Sequence, residues 1–192
     1  SDLNTNKLKT IQIKNLAKSD KRENVLDCIS EGIKKFKKVI KKISPNIVVL
    51  IGDRYEILSM AICCLILKIK IAHIHGGETT IGSFDEQIRH SISKMSQIHF
   101  VAHSKYKKRL MQMGEQREKI FNYGSPSLDH IKEAKIIDID ILSKKYNFNF
   151  KKKYFLVCYH PATNDSSNSI KNLKILLKSI DKIKDVNFIF TY

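Results

Sequence analysis

The run NIVVLIGD at residues 46–53 constrains the fold more than any other part of this chain. It is apolar on every side, so it cannot be a strand with one wet face. It belongs inside a parallel sheet covered by helices. Further apolar runs follow at residues 71–74, 99–102, 120–123, 154–160 and 187–192. Between them the apolar residues change period. Val25, Leu26, Ile29, Ile33, Phe36, Val39, Ile40 and Ile43 recur at three- and four-residue steps, which predicts a helix over 23–43 that Pro45 stops. Helices are predicted likewise over 55–68, 85–97, 104–113 and 169–183, with a mixed helical stretch running to Tyr146. Strands alternating with helices make right-handed βαβ units and a parallel sheet with helices on both faces. The polar KKYNFNFKKK at 144–153 is the expected boundary between two such sheets, 1–146 and 147–192.

Charge tests a different class of function. The net charge of +16 invites phosphate-backbone binding, but only five of the 35 basic residues are arginine. Scattered lysines read as a solvated surface, since base readout favours the planar guanidinium. A basic polyanion-binding module is therefore the rival reading, and no nucleic-acid partner is expected. The longest apolar run, 57–67, is too short for a bilayer, and no basic-then-apolar leader begins the chain. No membrane partner and a cytoplasmic location are expected, with homo-oligomer formation left open. Cys28, Cys63, Cys64 and Cys158 form no CxxC pair and read as reduced core residues. The chain begins without methionine and ends on a strand with no helix after it. The expectation is a segment truncated at both ends.

In open parallel sheets, ligands bind beyond the carboxyl ends of the strands. Asp53 and Arg54 follow the first predicted strand; His75, Glu78, Asp85 and Glu86 the second; His103 and Ser104 the third; Gly124, Ser125 and Ser127 the fourth; His160 follows YFLVCY. The titratable residues thus gather on one rim. Each has a plainer reading. Asp53 suits a helix cap. Asp85 and Glu86 suit a first helical turn, with Arg89 as the partner of Asp85 one turn on. His73 and His75, two apart on a strand, would point the same way and could grip a metal with Glu78, but no further ligand stands at a set spacing. A buried, hydrogen-bonded His73 is the preferred alternative. His99, His103 and His130 read as structural or surface residues. Gly76, Gly77 and Gly82 permit close approach of a ligand, without a GxGxxG or Walker pattern.

Together GDRYE, HIHGGETTIGSFDEQIRHSISKMSQIHFVA, MGEQREKIFNYGSPSLD and YHPAT resemble the hydrolysing UDP-N-acetylglucosamine 2-epimerases of the sialic and nonulosonic acid branch. The resemblance runs from about Ile47 to His160. It implies a glycosyltransferase-B fold, with a UDP-sugar between two Rossmann-like domains and no metal or cofactor. It also implies the chemistry: loss of the C2 proton as UDP leaves C1, then addition of water and reprotonation of C2 from the other face. Asp53, Asp85 and His160 match the family's catalytic positions. His75 stands where some members carry glutamate, so the acid/base role falls to His75 or Glu78. Arg54 matches a residue near the diphosphate, and Glu78, Glu86 and Arg89 would line the sugar. A non-hydrolysing epimerase is the alternative of the same fold. No match to the family's opening arginine loop or its later nucleotide loop lies within these residues, so a fragment inactive by itself is expected.

Overall fold

The computed structural model describes residues 10–14, 22–160 and 168–191. Most of the polar amino-terminal stretch lies outside them, as does the turn expected at Pro161. The chain divides into two compact units. One runs to Thr80 and resumes over Asp85–Ser125; the other is Ile81–Phe84 with the chain from Pro126 onward.

The first unit contains α1 (Arg22–Ile43), β1 (Ile47–Ile51), α2 (Tyr55–Ile66), β2 (Lys70–Ile74), α3 (Asp85–Met95), β3 (Ile98–Val101), α4 (Ser104–Gln112) and β4 (Ile120–Asn122). The strands are parallel in the order β1-β2-β3-β4, and their register aligns Leu50, His73, His99 and Ile120 in one row. That row is buried throughout. Ile40 of α1, Ala61 and Cys64 of α2 and Ile92 of α3 pack with Leu50 and Ile71, while Leu110 of α4 packs with Val101 and Ile120. Right-handed crossovers along a strand order that never reverses deliver every connecting helix to the same side. The two flanking rows show the consequence, because Val49 and Ile51 of β1 are 56% and 61% exposed. Among the described residues β1 is covered on one face, where cover on both was expected.

α2 is apolar on most sides because it sits between α1 and the sheet. Its Ser59 hydroxyl donates to the Ile29 carbonyl at 3.0 Å, and the Cys63 thiol to the Ile33 carbonyl at 3.4 Å, so both satisfy themselves on α1. Burial pushes the Cys64 thiol up to about 11. Among the described residues no helix is long and apolar enough to cross a membrane.

The second unit contains α5 (Pro126–Glu133), α6 (Ile139–Tyr146), β5 (Tyr154–Cys158), α7 (Ser169–Ile180) and β6 (Asn187–Thr191), with β5 and β6 parallel. The mixed helical stretch is thus two helices. Asp138 starts the second by accepting from the Asp140 and Ile141 amides, and Asn147 ends it in a left-handed conformation. Cys158 departs from the expectation of a core thiol. Among the described residues it is exposed, since the sheet that holds it has two strands there and β5 is uncovered along most of its length.

Candidate active site

The site is built at the carboxyl end of the first sheet. After β1 the chain turns at Gly52, whose φ of +81° suits glycine and whose amide donates to the Ile74 carbonyl at 3.0 Å. Asp53 follows, but it does not cap α2. The N-cap is Arg54, without a side-chain cap, and the Asp53 carboxylate accepts instead from Arg89. Thr80 Oγ1 lies 3.5 Å from the same carboxylate. Arg54 turns to Glu56, which it meets at 2.9 and 3.2 Å, and lies over the Tyr55 ring.

The second loop is set by two histidines of different character. His73 is fully buried. Its Nε2 lies 2.8 Å from the Gly52 carbonyl oxygen and its Nδ1 3.0 Å from Ser93 Oγ, and burial pushes it down to about 4, so it is neutral at physiological pH. His75 has left the strand with φ +65°, and its Nδ1 meets Glu78 Oε1 at 2.8 Å. The two imidazoles do not share a face as the spacing rule predicted, because the alternation of a strand ends where β2 ends. The paired-histidine metal reading loses its geometry there, and no group of three metal-ligating side chains occurs among the described residues.

Arg89 unites these parts. Its side chain, 9% exposed, projects from α3 into the loops, with Nη2 on Asp53 and Nη1 3.2 Å from Glu78 Oε2. Nη2 also meets Thr80 Oγ1 at 3.1 Å. Its partners are 36 and 11 residues away, a reach that the expected one-turn pairing with Asp85 did not foresee. Asp85 opens α3, and Glu86 beside it accepts from the Thr80 amide at 2.9 Å. His160 lies in the second unit, just after β5, with Nε2 3.1 Å from Cys158 Sγ. His103 caps α4 by accepting from the Lys105 amide, and buried His99 meets Glu115 at 3.2 Å.

Two parts were not legible in the sequence. Thr80 joins Asp53, Glu86 and Arg89, yet a threonine in a loop gives no signal. Gly76 and Gly77 make room for the protein itself, whereas a Cβ at Gly82 would meet nothing within 4 Å. A Cβ at Gly76 would lie 2.9 Å from Ser93 Oγ, and one at Gly77 would lie 2.7 Å from the Tyr106 carbonyl oxygen. Arg109 of α4 also donates to the Gly77 carbonyl. Gly77→Ala should therefore displace the Glu78 loop and cost about 1–3 kcal/mol from its positive φ, with the clash in addition. Denaturant titration of the intact protein that carries this sequence checks it, and an unchanged midpoint would show that the loop is loosely held.

Fold and site define a Rossmann-like α/β protein of the glycosyltransferase-B kind, with a cluster of paired charges at the strand ends of its first sheet. The family model described as UDP-N-acetylglucosamine 2-epimerase matches residues 2–192, and the chain belongs to that family. It is 40% identical over 182 residues to the Campylobacter jejuni "GDP/UDP-N,N'-diacetylbacillosamine 2-epimerase (hydrolyzing)", covering 95% of this chain and 47% of the relative. It is 36% identical over 168 residues to the Escherichia coli "Polysialic acid biosynthesis protein P7", covering 87% and 43%. The Methanocaldococcus jannaschii UDP-GlcNAc 2-epimerase, solved in complex with UDP-GlcNAc and UDP, superposes with a TM-score of 0.73 at 25% identity, covering 87% and 47%. The chain spans about half the length of the relatives it matches.

Proposed function

We propose that the chain is part of a hydrolysing UDP-sugar 2-epimerase, which takes a UDP-linked 2-acetamido sugar and water to the free C2 epimer and UDP. The observation that carries the reading is the buried Arg89 guanidinium gripping Asp53 and Glu78 together, with His75 on Glu78. Such a network fixes two carboxylates side by side at the strand ends, where a base acting on a small polar ligand has to be positioned. The word "hydrolyzing" in the C. jejuni relative's name supports release of UDP over its retention, and the polysialic acid relative supports a product used for acidic sugars.

In this reading Asp53 removes the C2 proton as the C1–O bond breaks and its electron pair leaves on UDP. Water adds at C1 of the resulting glycal, and C2 takes a proton on the opposite face. Asp85, the His75–Glu78 pair and His160 are the proposed acids for that step. Arg54 faces the departing diphosphate, and Glu78, Glu86 and Arg89 shape the sugar pocket. Residues 1–146 supply most of one Rossmann-like domain and 147–192 begin the next. The test is turnover by the intact protein in heavy water. Product carrying deuterium at C2 is expected, because the returned proton comes from solvent. Product with hydrogen retained at C2 would show plain hydrolysis of the UDP linkage and sink the proposal.

A further inference from the structure

We propose that His73 is a positioning residue of this site, a strut that holds the turn bearing Asp53 and the helix bearing Arg89 in register. Its kinetic readout rests on the epimerase reading; its structural readout does not. A carbonyl oxygen can only accept, so His73 Nε2 carries the ring proton toward Gly52 and Nδ1 is left to accept from the Ser93 hydroxyl. One tautomer satisfies both contacts. The partners flank the ion pair: Gly52 precedes Asp53, and Ser93 stands one helical turn after Arg89 on α3, on the same helix face. The ring therefore spans the two elements that the Asp53–Arg89 contact joins.

The placement is costly unless it does something. His73 lies in the buried row with Leu50 and Ile120, where an aliphatic side chain would fill the space without desolvating a polar ring. An aliphatic residue would also leave the Gly52 carbonyl and the Ser93 hydroxyl without this partner. Gly76 completes the arrangement, since a Cβ there would lie 3.0 Å from His73 Nδ1.

The experiment compares His73→Asn with His73→Gln in the intact protein that carries this sequence. Asparagine reaches only the Nδ1 position and forfeits Gly52; glutamine reaches the Nε2 position and can donate there. His73→Asn is expected to lower kcat about a hundredfold with KM little changed, as a misplaced reactive group does. His73→Gln should recover most of that loss. Hydrogen exchange of the Gly52 amide, which donates to Ile74, should speed up in the Asn variant and stay near the parent rate in the Gln variant. Parent-like kcat and exchange in His73→Asn overturn the proposal, as do equal losses in both variants, which would mean that the ring only fills volume. If the parent releases no UDP, the epimerase reading fails and the Gly52 exchange still decides the role of His73. Should His73→Asn not fold, Ser93→Ala removes the other partner. A smaller fall in kcat at constant KM is then expected, and parent-like kcat overturns the proposal.

Discussion

Asp53→Asn in the intact protein that carries this sequence should cut turnover by about a hundredfold or more, the usual contribution of a general base. The amide keeps the shape of the carboxylate and can still accept from Arg89, so the loop geometry survives while the basicity is lost. The substitution is informative because Asp53 follows a strand and precedes a helix, where capping is the ordinary role. Asparagine caps as well as aspartate, so a capping residue would tolerate the change. The N-cap position belongs to Arg54, which removes that explanation and leaves the contact with Arg89. Near-parent turnover together with unchanged stability would move the base elsewhere on the rim, with the His75–Glu78 pair next in line.

Arg89→Met should cost about 3 kcal/mol of stability, because it strips the counter-charge from two carboxylates at once. Breaking a buried pair commonly costs roughly 3–5 kcal/mol, and the low end applies here. Asp53 and Glu78 keep 19% and 24% of their side-chain exposure, so water relieves part of the penalty. The expected loss is seen by denaturant unfolding at neutral pH. Arg89→Lys should keep more stability than Met, yet an ammonium cannot present two separated donors to Asp53 and Glu78, so turnover should still fall. A methionine variant as stable as the parent would mean that solvent, not Arg89, satisfies these carboxylates.

Much of the site was legible before any geometry. Asp53, His75, Glu78, Asp85 and Glu86 were placed on one rim from the order of strands and helices alone, and all lie after β1 or β2 in the structure. Their partners were not legible. Local rules assigned Arg89 to Asp85 and Asp53 to the helix end, because each rule sees only one turn of chain. His73 and His75 show the same limit. Strand alternation put them on one face, and a single left-handed residue at His75 separated them. Cys158 was taken for a core residue from its apolar neighbours, whereas exposure depends on what lies over β5.

The sequence by itself determined the order of the elements, because apolar periodicity and the stops at Pro45 and Gly52 are properties of neighbouring residues. It also determined which end of the sheet would carry the chemistry, since in a parallel βαβ chain every strand hands its following loop to the same rim. Only the tertiary structure decided which charges meet. Arg89 reaches Asp53 because β1 and α3 are brought together by the packing of Leu50, Ile71 and Ile92, residues separated widely along the chain. Side chains on separate elements are placed by that shared core, and the distance between two charges sets both their energy and their chemistry. A sequence fixes what each element can offer at the rim; the contact between two offers is a property of the packed whole.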